Sequence, residues 1–408
     1  MAHLAFEAAQ ADFAVGLLRE VALNSNASVI LSPISIAFAL SLVYAGAEGD
    51  TRREFEAAFA RGGIKGDALD ALFHRSLAQL ATGERHARIP METCSLKRYL
   101  LFLPVIRPWA NACPTRSPHS RLLVVNRAYA SHELDVKAAY KRVVDEKFGG
   151  HFKRVDFGRP AEAVAEINAF VAAATDDQIR DLLAVEAVDR RTKMMLVNAL
   201  CFKGRWDDRF QFDEDATTNA TFFLDESSEK QVQMMRMTEH VRYTETKDVQ
   251  VLELGYADER AKFVVFLPKE QFGLTAWLRK VDGGELLGLM DRLEWREVNI
   301  KLPRFAISSE FELKDVLSAL GFSRGFSEVA DFGGISDQPL FISRSIHQAF
   351  IHVNEYGTEA AAATANEEVV LSGGADDPID FRADHPFAFL LTYDKTPLFF
   401  GRFSGSPS

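Results

Sequence analysis

The hydrophobic residues of this chain change their spacing near residue 195. Before that point apolar residues recur mostly at helical intervals, in residues 1 to 83 and again from 136 to 195, including VAEINAFVAAATDDQIRDLL. After it the period shortens toward two, which predicts strands in MMLVNALCF, VQVLELGY, KFVVFLP, VNIKLPRFAI, FIHVN, FAFLLTY and PLFFGRF. Helices that cluster early and strands that cluster late are typical of an α+β fold with large antiparallel or mixed sheets.

Composition limits the classes of function. The 408 residues, 47% apolar and 26% charged, suffice for one large domain or two. A net charge of -11 argues against nucleic-acid binding, which needs a basic surface. The N-terminus MAHLAFEAAQADFAVGLLREVA has helical spacing and no signal-peptide pattern, and the longest apolar stretch, 34–47, is too short to span a bilayer. We therefore expect a cytoplasmic protein without membrane contact, and keep secretion as the alternative.

The sequence carries no recognisable active-site signature. It contains no G-x-S-x-G, H-E-x-x-H, G-x-x-x-x-G-K or G-x-G-x-x-G motif, and Cys94, Cys113 and Cys201 have neither a disulfide framework nor metal spacing. His347 and His352 are five residues apart, which is not a helical ligand spacing. We predict a protein that is not an enzyme and has no metal or cofactor, with His347 as a buried structural histidine. A hydrolase with an unrecognised site is the rival.

Two segments stand out from the rest of the chain. GTEAAAATANEEVVLSGG, residues 357–374, is compatible with a short exposed helix, because alanine is the best helix former, and its residues alone do not decide its role. Residues 84–121 are rich in proline and basic side chains. They form an insertion without function or a weak polyanion-binding loop.

Several blocks resemble the serpin family of serine protease inhibitors. They follow the family order over nearly the whole chain except 84–121: ILSPISIAFALSLVYAGAEGDT, VNRAYA, INAFV with DLL downstream, VNALCFKGRWDDRF, LPRF, LSALGF, ADFGGIS, HQAFIHVNEYGTEAAAATA, FRADHPFAFLL and LFFGRFSGSP. The resemblance implies a single serpin domain over 1–408, ovalbumin-like in lacking a signal peptide. It also implies early helices packed on a large central mixed sheet, with further sheets and an exposed reactive-centre loop at about 356–380.

By this resemblance the alanine-rich segment is the loop hinge of an inhibitory serpin. After a protease cuts the loop, the part before the cut inserts into the main sheet as a new strand. Such a strand needs small side chains where the sheet first opens, and glycine where the backbone pivots. The expected hinge residues are Glu355, Gly357, Thr358, Glu359, Ala360, Ala361, Ala362, Ala363 and Thr364.

Counting 15 residues from Gly357, as the family pattern does, puts the reactive bond between Leu371 and Ser372. Leucine suits the apolar primary pocket of a chymotrypsin-like serine protease, and an elastase-like enzyme cutting at Val370 or Leu371 comes next. The following segment looks a residue or two longer than in familiar members, so the bond could shift to Ser372-Gly373. Glu368 would face the sheet interior, where a charge is costly, and we expect it to slow the completion of insertion.

The resemblance also implies a group of residues that control the opening of the sheet. Ser32, Ser35, Asn198 and His347 match the polar cluster beneath the centre of the main sheet, and Trp206 matches the aromatic residue at the top of the opening. Plain core packing is the other interpretation of each. We expect a monomer that forms a covalent acyl complex with its target. A non-inhibitory serpin (a chaperone or ligand carrier) and an inhibitor of cysteine proteases stay open.

Overall fold

The structure is a computed structural model, and it describes residues 2–23, 25–60, 120–358 and 377–405. Its helices are α1 (Ala2–Leu23), α2 (Pro33–Tyr44), α3 (Gly49–Ala60), α4 (Ala138–Phe148), α5 (Pro160–Ala174), α6 (Leu274–Lys280), α7 (Gly283–Asp291) and α8 (Lys314–Ala319). Short 3-10 turns lie at Val185–Ala187, Asp208–Phe210 and Arg324–Phe326.

The strands form two sheets. They are β1 (Val29–Leu31), β2 (Ser120–Ser131), β3 (Phe152–Val155), β4 (Met194–Arg205), β5 (Thr218–Phe223), β6 (Glu229–Glu245), β7 (Val249–Gly255), β8 (Ala261–Pro268), β9 (Glu294–Pro303), β10 (Phe305–Glu312), β11 (Ile342–Asn354), β12 (Gly357–Thr358), β13 (Ile379–Arg382), β14 (Phe387–Tyr393) and β15 (Thr396–Phe403).

The six-stranded sheet has the order β10-β11-β12-β4-β2-β3 and is mixed. Its two central strands, β4 and β11, run parallel and pair directly from Ile342 opposite Met194 to Phe350 opposite Cys201. Beyond that stretch the short β12 lies between them and runs antiparallel to both. The two central strands are therefore hydrogen-bonded to each other along most of their length and separated by β12 at one end.

The nine-stranded sheet has the order β1-β15-β14-β8-β7-β6-β9-β13, with β5 paired to β6. The strands β8, β14 and β15 are apolar along nearly their whole length and buried, as expected for strands covered on both faces. Helices α1 and α2 both contact β15, and α2 also contacts β2 and β4, so α2 lies between the two sheets. The observed architecture confirms the predicted α+β class with a large mixed sheet.

Helix α2 begins as the sequence predicts. Ser32 is its N-cap, the Ser32 hydroxyl accepts a hydrogen bond from the Ser35 amide at 3.4 Å, and proline occupies the first helical position. Every residue from Pro33 to Tyr44 is buried. This start places two serine side chains directly beneath the six-stranded sheet.

Parts of the helical prediction were wrong. Val29–Leu31 is a strand that pairs with β15, and Phe152–Val155 is a strand beside β2. Helix α5 ends at Ala174, whereas the apolar spacing had predicted a helix that continued to Leu183. Asp176, Asp177 and Asp181 all have positive φ, and the Thr175 side chain bonds the backbone of Val171 and Ile179. These local hydrogen bonds compete with helix continuation.

Candidate functional site

The divided end of the six-stranded sheet holds the start of the predicted hinge. Gly357 lies opposite Asn354 of β11 on one side and Arg205 of β4 on the other. Thr358 lies opposite Val353 and Gly204 in the same way. Two residues of the predicted hinge therefore form a strand between β4 and β11, with the chain running antiparallel to both.

The turn that brings the chain back into the sheet depends on Asn354 and Gly357. The side-chain oxygen of Asn354 accepts hydrogen bonds from the amides of Tyr356 at 3.0 Å and Gly357 at 3.1 Å. Gly357 has a φ of 142°, and a Cβ there would overlap the carbonyl oxygen of Gly204. Only glycine fits this position, because the conformation and the close approach of β4 both exclude a side chain.

Thr358 is buried with none of its surface exposed, and its hydroxyl lies 2.6 Å from the hydroxyl of Tyr256. Tyr256 is fully enclosed, and burial raises the pKa of its phenol, so it stays protonated and can donate. Thr358, predicted as an inward-facing position of the hinge, therefore has an enclosed site and a hydrogen-bond partner for its hydroxyl.

Trp206 lies at the divided end of the six-stranded sheet, beside the turn that leads into β12. Its ring stacks on Tyr256 with centroids 4.5 Å apart, and its indole nitrogen donates to the carbonyl of Asn354 at 3.0 Å. Its backbone amide donates to the carbonyl of Tyr356 at 2.9 Å. One residue therefore supports the hinge turn through both side chain and backbone.

Glu355 is held in place by groups on neighbouring elements. Its side chain is 1% exposed, ion-paired to Arg304 at 3.3 Å, and it accepts a hydrogen bond from the hydroxyl of Thr217 at 2.8 Å. The carbonyl of Glu355 accepts from the amide of Phe212 at 3.0 Å. The hinge thus begins from a fixed anchor.

A second polar group lies at the seam between β4 and β11. The register aligns Asn126 of β2, Asn198 of β4 and His347 of β11 side by side. The Asn126 side-chain nitrogen donates to Oδ1 of Asn198 at 2.9 Å and to the Ser35 hydroxyl at 2.5 Å. Asn198 donates in turn to the carbonyl of Ile346 at 3.3 Å. These bonds join three strands and the helix beneath them.

His347 completes this cluster. Its Nε2 accepts a hydrogen bond from the amide of Ser32 at 3.0 Å, which places the ring proton on Nδ1. Nδ1 has no hydrogen-bond partner in the described part of the chain. Complete burial lowers the pKa of His347 to about 3, so the ring is neutral at neutral pH. A neutral, enclosed ring fits the predicted structural histidine.

The structure therefore brings Ser32, Ser35, Asn198 and His347 together in one cluster. Trp206 lies apart from this cluster, beside the predicted hinge. Sequence reasoning missed five further residues of these sites: Asn126, Thr217, Tyr256, Arg304 and Asn354. Asn126 gave a usable signal, because this polar residue directly follows the apolar run LLVV. The other four are ordinary surface or strand residues by pattern.

Several predicted positions lie outside the described residues. They are Glu359, Ala360, Ala361, Ala362, Ala363, Thr364, Glu368, Leu371 and Ser372 of the loop, and residues 84–119 of the basic segment. Within the described ranges, no group of three or more His, Cys, Asp and Glu side chains could hold a metal ion. None of the helices in those ranges has the length and apolar character needed to cross a membrane.

Comparison with known proteins assigns the chain to a family. The family model for serpins, serine protease inhibitors, matches residues 8–405, and the chain belongs to this family. The human leukocyte elastase inhibitor is 32% identical over 408 residues, covering 96% of this chain and 97% of that protein. Serpin B6 of Macaca fascicularis is 30% identical and covers 97% and 98%. The family predicted from the sequence blocks is confirmed.

Solved structures agree with this assignment. Serpin48 of the insect Tenebrio molitor, described as a highly specific serpin, is 27% identical with a TM-score of 0.78, covering 98% of each chain. The fold is therefore the serpin fold, as the resemblance implied. Membership of a family of serine protease inhibitors supports protease inhibition as the broad activity.

Proposed function

We propose that this protein inhibits a serine endopeptidase as a suicide substrate, by loop cleavage and strand insertion. One observation carries the proposal: Gly357 and Thr358 already occupy the gap between β4 and β11 in the antiparallel direction. A chain that continues along this line past Thr358 meets the seam where β4 and β11 pair. Each further inserted residue would separate β4 from β11 at that point and pair with both strands.

The covalent chemistry comes from the protease. Its serine oxygen attacks the carbonyl carbon of Leu371, the Leu371-Ser372 peptide bond breaks, and the new amino group of Ser372 takes the proton from the protease histidine. The Leu371 acyl group is left as an ester on the protease serine. Inhibition then requires that the protease active site be distorted before its histidine can activate a water molecule to hydrolyse the ester.

Strand insertion can supply the energy for this step. Residues 359–371 would form a ladder with β4 and another with β11 in place of the direct β4–β11 ladder, a net gain of about one ladder. At ~0.5–1.5 kcal/mol net per hydrogen bond, this gain is on the order of 10 kcal/mol. A typical protease is stable by only ~5–15 kcal/mol. The free energy of insertion is therefore comparable to the stability of the protease and can distort its active site.

The polar cluster at the seam supports a sheet that can open. Asn198 and His347 face each other across the β4–β11 seam, and the hydrogen bond from Asn198 to Ile346 crosses it. Hydrogen bonds can be exchanged for new partners on an entering strand, whereas interlocked apolar side chains would leave a cavity. We propose that this cluster holds the sheet closed before cleavage.

The target is proposed from the residue before the cut. Leu371 suits a chymotrypsin-like protease, and an elastase-like protease acting at Val370 or Leu371 is the next candidate. The name of the relative from human leukocytes, an elastase inhibitor, supports the second class as well. Cleavage at Ser372-Gly373 is the alternative bond.

Three further properties are proposed with the function. The protein acts as a monomer, in the cytoplasm, and residues 84–121 bind polyanions weakly. Size-exclusion chromatography with light scattering tests the first, and cell fractionation with secretion as the alternative tests the second. Heparin-column retention that is unchanged on deletion of the segment would dismiss the third.

The deciding experiment is intact mass spectrometry of the protein mixed with a slight molar deficit of chymotrypsin. We expect a species at the summed mass of both proteins and a released peptide that begins at Ser372. The variant Thr358→Arg should be cleaved at the same bond without forming the complex, because a buried charge would stall insertion. Thr358→Val, which keeps the size without the charge, should still form it.

The other outcomes separate the remaining functions. If the wild type is cleaved while chymotrypsin and elastase both remain free and active, inhibition is rejected and a chaperone or ligand carrier is favoured. Complex formation with papain alone would assign cysteine proteases as the targets. Repeated turnover of a substrate would indicate a hydrolase.

A further inference from the structure

The nine-stranded sheet carries a cleft that takes no part in the proposed loop insertion. Trp295, Arg242 and Glu253 lie directly opposite one another on β9, β6 and β7, so their side chains share one face. Gly255 and Lys262 form the next such pair on β7 and β8. With Arg209, Phe210 and Leu293 these residues enclose about 320 Å³. This volume is at the lower end of the range for small-molecule sites.

Glycine at position 255 keeps the floor of this cleft open. A Cβ there would lie 3.2 Å from the ammonium nitrogen of Lys262 and 3.2 Å from the ring of Phe210. Any larger residue would therefore press on both and fill the space between them. The cleft owes its depth to this missing side chain.

The charges around the cleft favour an anion. Three cationic side chains, Arg209, Arg242 and Lys262, line it against one carboxylate, Glu253. Arg209 is neutralised by Asp207 at 2.9 Å. Arg242 donates to the carbonyl of Leu293 at 2.9 Å and lies 3.9 Å from Glu253.

Lys262 is the cation that this arrangement leaves available. It is half-buried and forms no hydrogen bond or close ion pair within the described ranges, and it interacts only at longer range with the carboxylates of Glu253 and Asp207. Burial raises the pKa of Glu253, and the charges of Arg242 and Lys262 act against that rise. A partly desolvated ammonium in such a site attracts an anion more strongly than one in bulk water.

An aromatic side chain forms the rim. Trp295 is 52% exposed, whereas Trp206 and Trp277 are buried. Its ring lies 5.8 Å from the guanidinium carbon of Arg209, and the same guanidinium lies 5.1 Å from the ring of Phe210. An exposed indole beside cations offers a flat surface on which a ligand ring can stack.

We propose that this cleft binds a small aromatic anion, with its phosphate, sulfate or carboxylate group on Lys262 and its ring on Trp295. None of the residues that line the cleft belongs to the predicted hinge, and its occupancy can be measured without a protease. The two elements of recognition, charge and ring, can be measured independently.

The test is isothermal titration calorimetry of the full chain at low ionic strength with phenyl phosphate, inorganic phosphate and phenol. We expect one site for phenyl phosphate, at least tenfold tighter than for either fragment. Lys262→Gln should weaken phenyl phosphate binding by about tenfold or more, and Trp295→Ala by about fivefold. Phenyl phosphate should also change the tryptophan fluorescence of the wild type, and this change should be lost in Trp295→Ala.

Arg296→Gln is the matched control, because Arg296 adjoins Trp295 on β9 but does not line the cleft. This variant should bind phenyl phosphate within twofold of the wild type. Equal binding of phosphate and phenyl phosphate, absence of saturable binding, or an equal loss in Arg296→Gln and Lys262→Gln would each overturn the proposal. Trp295 is exposed, so Trp295→Ala gives a folded variant even if Lys262→Gln does not.

Discussion

The hydroxyl groups of Tyr256 and Thr358 lie 2.6 Å apart in a position closed to solvent. Tyr256 directly follows β7 of the nine-stranded sheet, and Thr358 belongs to β12 of the six-stranded sheet. This one hydrogen bond therefore links the predicted hinge to the nine-stranded sheet. It also gives the threonine a role in the closed molecule, before any loop insertion.

The Tyr256–Thr358 bond can be measured with a double-mutant cycle. Tyr256→Phe and Thr358→Val should each lower stability by about 1–3 kcal/mol, because each leaves one buried hydroxyl without a partner. The double variant should cost less than the sum of the two, because both polar groups are then gone. Thermal unfolding at a fixed scan rate measures this, and strictly additive effects would show that the hydroxyls do not interact.

Gly357→Ala should expel β12 from the sheet. The new Cβ would overlap Gly204, and alanine tolerates the φ of 142° poorly, so we expect a loss of about 1–3 kcal/mol. Hydrogen exchange in peptides covering 353–358 and 204–206 should accelerate. Gly288→Ala is the control, since nothing lies within 4 Å of a Cβ there. Equal exchange in both variants would contradict a required glycine.

Glu355→Gln tests the charge at the anchor while keeping an acceptor for Thr217. The carboxylate is 1% exposed and Arg304 is 36% exposed, so part of the ion pair is screened by solvent. We expect a loss of about 1–2 kcal/mol in thermal unfolding. Glu294→Gln breaks the exposed pair with Arg296 and should change stability by less than about 0.5 kcal/mol. Equal losses of stability in Glu355→Gln and Glu294→Gln would show that the buried ion pair at Glu355 contributes no more than an exposed one.

The stability of the protein should fall in mild acid because of His347. Burial lowers its pKa to about 3, while the unfolded chain takes up a proton near the ordinary value of 6.5. The stabilisation is therefore complete above pH 6.5 and is lost as the pH falls toward 3. Linkage gives about 1.4 kcal/mol per pH unit, or about 2 kcal/mol between pH 6.5 and 5.

The comparison of thermal midpoints at pH 7 and pH 5 separates His347 from other groups. His347→Gln should show a smaller drop between the two pH values than the wild type. His132→Gln, at an exposed histidine paired with Asp156, should keep the wild-type drop. An unchanged drop in His347→Gln would mean that other groups cause the acid sensitivity.

Local patterns in the sequence were sufficient for the family, the fold class and the helix start at Ser32. FAFLLTY became β14 and MMLVNALCF became part of β4, because period-two and continuous apolar runs encode buried strands directly. Reasoning from apolar spacing failed where contacts outside the local pattern decide the secondary structure. Three residues at Val29 to Leu31 form a strand only because β15 lies beside them. Helix α5 stops early because the Thr175 hydroxyl bonds the local backbone and three aspartates after it adopt positive φ.

The sequence by itself determined which residue types could serve a mobile sheet: small residues at the hinge, a glycine to pivot, and polar residues in otherwise apolar strands. Only the tertiary structure decided their partners. Ser32 and His347 are 315 residues apart, and Tyr256 and Thr358 are 102 apart. Such pairs arise from strand register and from the packing of one sheet on another, and no local pattern encodes these. The cleft at Trp295 has the same origin, because three neighbouring strands must align before its charges face one space.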